Sequence, residues 1–249
     1  MRSATNIRPF PQLFAGLTIL SLSLIGTAFV GRSALQEFKA ANDVLTVTGS
    51  AKRAIESDYI IVSFSISSQE PTARESYQSL KNQRERVKAY LQARQVSDEA
   101  IKLGSISTYA IPQRTYNGQE TGKILAHRLT QRIEIRSNDV DKYTELSQQL
   151  NELIEAGVNI VVFPPQYLYT QLGQLRVEMV AEATKDAKAR AVAIAQTTGN
   201  QVGVVRSAKT GVFQITSRHS TAVSDYGIYD TSSLDKDITA VVSVQFSLK

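Results

Sequence analysis

Apolar and polar residues alternate with a period of two over residues 59–68. Ile60, Val62, Phe64 and Ile66 fall on one side, and Ser63, Ser65 and Ser67 on the other. This pattern predicts a strand with one dry and one wet face. The β-branched run at 44–51 predicts a strand before it, with Ser57-Asp58 as the turn between them. The period then lengthens. Thr72-Ala73-Arg74-Glu75 fits a capping box, with Thr72 as N-cap and Glu75 reaching back. Ala73, Tyr77, Leu80, Arg84, Val87 and Leu91 follow at three- and four-residue steps, an apolar stripe interrupted once. Period two returns at 106–111 and 124–136, two strands joined through a turn at Asn117-Gly118. In the second of them Leu125, His127, Leu129, Gln131, Ile133 and Ile135 share a face.

A second helix is expected after Ser137 or Asn138 as cap, with Val140, Tyr143, Leu146, Leu150 and Leu153 inward and Gly157 ending it. Residues 158–163 read as a short strand stopped by Pro164-Pro165. A long helix over about 172–198 turns Leu175, Met179, Ala183, Ala187, Ala191, Ile194 and Ala195 inward. Such small residues let a helix axis approach its neighbour closely. Strands at 202–215 and 238–248 complete the chain. The order is β-β-α-β-β and then α-β-α-β-β, without strict βαβ alternation, so the predicted class is α+β with antiparallel and mixed sheet and three main helices.

Residues 11–31 contain no charge and follow Arg2 and Arg8. A membrane-crossing helix needs about 20 mostly apolar residues, and 13–30 barely supplies them. Three readings compete. One is an uncleaved single-pass anchor, with the amino terminus cytoplasmic and the rest across the membrane. A second is a signal peptide cut after Ala28, where Gly26-Thr27-Ala28 places small residues. A third is a core helix. The apolar run exceeds a usual signal core of about 7–15 residues and continues through Phe29 and Val30, which favours the anchor. On this reading residues 1–32 are the signal-anchor, 33–43 a spacer, and 44–249 an extracytoplasmic domain with lobes at about 44–136 and 137–249.

Charge changes the picture little. The chain holds 28 Lys and Arg against 23 Asp and Glu. Removing Arg2, Arg8 and Arg32 from the 28 leaves 25 against 23, a net of +2 after residue 32. The helical cluster Lys81, Arg84, Arg86 and Lys88 is mixed with Glu75 and Glu85 and reads as a solvated face, so nucleic acid is not an expected partner. There is no cysteine, which excludes disulfides, thiol chemistry and a lipid-modified amino-terminal cysteine. The two histidines, His127 and His219, have no accompanying ligands at metal-binding spacing. None of the nucleotide-binding or nucleophile-elbow motifs occurs, and Glu134 and Asp186 have no support as an acid/base pair. No catalytic residue, cofactor or metal is expected.

Four segments carry a family resemblance. They are Val47-Thr48-Gly49-Ser50-Ala51 followed by Asp58; Lys123-Ile124-Leu125-Ala126-His127-Arg128-Leu129-Thr130-Gln131; the alanine-rich stretch 183–195 followed by Gly199 and Gly203-Val204-Val205; and the terminal strand 238–248. In order and spacing they resemble the SIMPL-domain family of bacterial envelope proteins. Its members include periplasmic immunogenic proteins and oxidative-stress defence factors. The sequence departs from the family pattern before the last strand, where Leu234-Asp235-Lys236-Asp237 replaces Pro-Gly. The resemblance implies a secreted, often oligomeric α+β protein and transfers no catalytic residue.

Two functions follow as expectations. The first is a non-enzymatic protein of the inner membrane with its bulk in the periplasm, self-assembling, with other envelope proteins as further candidate partners and an envelope or oxidative stress link. The second is a periplasmic binding module for a small ligand or envelope polymer, using a cleft between lobes and flat contacts from Tyr109, Tyr116, Tyr226 and Tyr229. The connection 216–237 is far longer than a hairpin needs. It is expected to be mobile in the isolated monomer, with residues 218–233 replaceable by a short Asn-Gly turn and Tyr226, Ile228 and Tyr229 as contact points for a partner or a second subunit.

Overall fold

The computed structural model describes residues 43–249 continuously, with Gly16, Leu17, Thr18, Leu20, Ser21, Ser23 and Thr27 before them, each helical. The remainder of the predicted anchor at 13–30, and the spacer up to residue 42, lie outside the described residues. Among the described residues, no helix is long and apolar enough to cross a membrane.

The fold is α+β with two sheets. Its strands are β1 (Val44–Glu56), β2 (Tyr59–Glu70), β3 (Ile101–Arg114), β4 (Glu120–Ser137), β5 (Ile160–Val162), β6 (Gln166–Leu168), β7 (Val202–Thr210), β8 (Gln214–Ser217), β9 (Ile228–Tyr229) and β10 (Asp235–Leu248). The α-helices within residues 43–249 are α1 (Ala73–Ala93), α2 (Val140–Gln149) and α3 (Leu172–Thr197). The chain forms two compact units that interleave in sequence rather than following one another. One comprises residues 43–51, 180–211 and 241–249, and the other 52–179 and 212–240. The long elements β1, α3 and β10 contribute residues to both, which a reading in consecutive lobes does not allow for.

The larger unit is built on a sheet ordered β3-β4-β2-β5, with β6 also on β2. β2 is its keystone: Phe64 lies opposite Ile133 of β4 on one side and Val162 of β5 on the other. The predicted alternation is realised, with Ile60, Val62, Phe64 and Ile66 fully buried. The opposite face is drier than expected, since Ser63 is also buried. Thr72 closes the capping box with Glu75 as predicted. The buried face of α1 is rotated from the expected stripe. It is Ser76, Leu80, Gln83, Val87 and Leu91, with Tyr77 exposed. Two polar residues sit inside because backbone groups satisfy their side chains there. Ser76 Oγ donates to the His127 carbonyl and accepts from Glu70 N–H. Gln83 donates to the Ser67 carbonyl at 2.9 Å and accepts from Asn159 N–H at 2.7 Å, joining α1 to β2 and to the chain entering β5.

The cap of α2 is Asp139, whose carboxylate accepts from Lys142 N–H, rather than Ser137 or Asn138. The expected strand at 158–163 is present as β5, ending before Pro164-Pro165, and a further short strand, β6, follows the prolines. β5 and β6 lie in turn along one edge of β2, divided by Pro164-Pro165.

In the smaller unit β7 pairs antiparallel with the end of β10, and the small-residue stripe of α3 explains the glycine of β1. Ala183, Ala187 and Ala191 are wholly buried, whereas Ile194, expected inside, is exposed. A Cβ on Gly49 would stand 2.2 Å from the Ala183 carbonyl oxygen and 2.3 Å from Ala187 N, so only glycine fits this crossing. Ser50 N–H donates to Asp186, which also accepts from Arg190. The expected strand 202–215 is broken at residues 211–213 into β7 and β8, and β8 pairs with the start of β10 in the larger unit.

Candidate functional site

The connection between β8 and β10 is worked into the fold rather than left as a free loop. Ile228 and Tyr229 form β9, parallel to β8 and opposite Gln214 and Ile215. Asp230 N–H donates to the Ile215 carbonyl, and the Thr231 carbonyl accepts Tyr167 N–H at 2.8 Å. Asp230 accepts from Ser232 and Ser233. Burial works to raise its carboxyl, but those bonds and the Lys236 charge outweigh it and hold the group below its ordinary value. Lys236 is wholly enclosed, donates to the Ser233 carbonyl, and is pushed down by burial against the opposing pull of Asp230. At the base of the hairpin, Asp237 pairs with Lys52 at 3.0 Å and accepts His219 N–H. The Lys52 bond, chiefly, holds its carboxyl below the ordinary range against the effect of burial.

The expectation that 218–233 is mobile and exchangeable for a short turn is therefore corrected. Removing it deletes β9 and the acceptor for Tyr167. Its local Ser-Asp turns made it look like an untethered polar tract. Of the expected contact points, Tyr226 is 98% exposed, Tyr229 is partly exposed, and Ile228 is half-buried in β9.

The most prominent exposed apolar feature of the larger unit is the β3–β4 hairpin. The strands extend beyond the expected limits to Arg114 and Glu120. The turn is the expected one: Gly118, at φ +80°, donates to the Thr115 carbonyl. The reach was missed because Pro112 reads as a strand terminator. On an edge strand its missing N–H costs no ladder bond that the sheet needs. Leu103, Tyr109, Ile124 and Leu125 are each more than half exposed, and Tyr116 at the tip is wholly so. Leu125, predicted to face the core, thus stands beyond the cover of α1. Where β3 begins, a groove of about 400 Å³ lies against α1. Its lining includes Val87, Leu91, Ile101, Leu103 and Ile133, with Arg84 and Lys88 among the charged residues.

The titratable residues weighed for chemistry have structural partners. Glu134 lies between Arg132 and Arg136. Asp186 is held by Ser50 and Arg190. Arg86, from the basic helix cluster, donates to the Ala156 and Gly157 carbonyls. Among the described residues no group of three His, Asp or Glu side chains is placed to hold a metal ion.

A family model described as SIMPL, protein of unknown function (DUF541), matches residues 45–246, most of the chain. The chain belongs to the SIMPL family. No curated protein matches it. The matched span begins in β1 and ends in β10, so the SIMPL domain takes in both compact units and the β3–β4 hairpin.

Proposed function

We propose that this SIMPL protein is a non-enzymatic component of the cell envelope. In this reading residues 13–30 anchor it in the inner membrane, and the domain beyond stands in the periplasm and self-assembles, in service of envelope or oxidative stress. The observation that carries the self-assembly is the β3–β4 hairpin, which displays Leu103, Tyr109, Tyr116, Ile124 and Leu125 to solvent. Exposed apolar side chains gathered on one projecting element favour an interaction surface. Tyr226 and Tyr229 on the β8–β10 connection are further candidate contacts, with envelope proteins as alternative partners. The test is the mass of the full chain in detergent micelles by size-exclusion chromatography with light scattering. A concentration-dependent oligomer supports the reading, and a strict monomer at high concentration refutes self-assembly.

A second reading, a binding module for a small ligand or envelope polymer, is favoured by the groove between α1 and β3, whose volume falls within the range of small-molecule sites. Thermal-shift titration with envelope polymers separates the two, because a ligand stabilises by mass action while self-assembly needs no additive.

A further inference from the structure

An open sheet edge exposes unpaired backbone N–H and C=O groups, and proteins blunt such edges with charge, proline, shortness or a bulge. The edge formed by β5 and β6 is two three-residue strands split by Pro164-Pro165. β9 has two residues. β7 carries Arg206 and Lys209. β1 carries Lys52, Arg53 and Glu56 in its second half, and in its uncharged first half the Ser50 N–H is already taken by Asp186. β3 between Ile106 and Ile111 has none of these: Ile106-Ser107-Thr108-Tyr109-Ala110-Ile111 is uncharged and proline-free. It pairs with β4 in unbroken register from Gln131 to Ala126. Its one irregularity lies just before it. The register shifts between Leu103 and Ile106, and the buried Gln131 amide donates to the Gly104 carbonyl at 2.9 Å, pinning that bulge.

We infer that this edge pairs with the same edge of a second copy of the chain, antiparallel, about a twofold axis normal to the sheet through Tyr109. The inference rests on the self-assembly reading and gives it a surface and a register. An identical strand brings identical charges, so a self-pairing edge must be free of them, as this run is. A twofold normal to the sheet keeps the two faces in common, so opposed residues must come from the same face of β3. Centring on Tyr109 satisfies this, setting Ser107 against Ile111, Thr108 against Ala110, and Tyr109 against its own copy. Centring on Thr108 also satisfies it but sets Tyr109 opposite Ser107. The Tyr109 centre alone covers this 61% exposed ring with an aromatic partner.

The chain has no cysteine, so a single introduced cysteine reports its own neighbour. Directly opposed residues of antiparallel strands lie within the Cα separation a disulfide tolerates. The full chain carrying Tyr109→Cys, oxidised in detergent, is expected to form a covalent dimer. Chains carrying Thr108→Cys or, on β7, Ser207→Cys are expected to remain uncrosslinked. Thr108→Lys, which places two lysines on the joined edge, is expected to abolish the oligomer while the chain stays folded, melting where the wild type melts once diluted to monomer. If the chain is oligomeric but Tyr109→Cys fails to crosslink and Thr108→Lys leaves the mass unchanged, this surface is overturned while self-assembly stands. Crosslinking at Thr108→Cys and not at Tyr109→Cys overturns the register. A wild-type monomer overturns both the surface and the reading beneath it.

Discussion

On one side of β2, the sheet of the larger unit ends in β5 and β6, two strands of three residues separated by Pro164-Pro165. On the other side it runs through β4, of 18 residues, to β3, of 14. The short side is tied down: Asn159 N–H meets Gln83, Phe163 N–H meets the Ser63 carbonyl, and Tyr167 N–H meets Thr231. The long side runs past the helices and ends in solvent with apolar residues on display. One core strand therefore supports a closed edge and an open one. Backbone groups left unpaired on a regular, uncharged strand are the cheapest surface on which a fold can add another strand.

Four changes break or sharpen this contrast. The largest effect is expected from Phe64→Ala, because Phe64 is wholly buried and opposed by both Ile133 and Val162. The cavity should cost about 3–5 kcal/mol in chemical denaturation and loosen both edges together. A loss confined to one edge in hydrogen exchange would show that β2 is not their common support. Gln83→Ala is expected to cost about 1–3 kcal/mol, since the buried Gln83 amide gives up two hydrogen bonds, to the Asn159 N–H and the Ser67 carbonyl. Amide exchange should quicken at Asn159 and in β5 while 106–111 stays unchanged; equal quickening in both would erase the distinction.

A smaller effect concerns the hairpin base at Asp237. Its folded carboxyl titrates below the ordinary value, so its stabilisation is present at neutral pH and is lost as pH falls through that lowered value. Asp237→Asn should therefore lower stability at neutral pH and flatten the acid side of the stability-against-pH curve. An unaltered acid slope would mean the Lys52 pair contributes nothing in solution. The smallest effect on folding is expected from Thr108→Lys, within about 0.5 kcal/mol of the dilute, monomeric wild type at an exposed strand position. A large loss of stability would mean that the outer edge of β3 is already covered within the chain.

Much of the architecture was legible because it follows simple periods. The alternation of β2, the capping box at Thr72 and the alanine line of α3 all appear where the pattern places them. The misreadings share one cause: a polar or rigid residue was counted by type when its backbone partner decided its place. Ser76 and Gln83 look like solvent positions until the carbonyls and N–H groups they satisfy are known. Pro112 looks like a strand end, yet on an edge strand it sits within a paired segment, whereas Pro164-Pro165 does end β5. The connection 216–237 looks untethered because Tyr167 is distant in sequence and the pairing of Ile228 and Tyr229 with β8 follows no local period. The tyrosines of the hairpin were visible as candidates. That Tyr109 lies on an open edge was not, since edge position is set by strand order and not by any local pattern.

Whether a second copy adds at the outer edge of β3 is read from hydrogen exchange of the full chain at increasing concentration in detergent. Amides within 106–111 should become protected as the oligomer forms, while those of β6 at 166–168 keep one rate throughout. If the chain associates and 106–111 exchanges at the same rate in monomer and oligomer, the edge is not the interface.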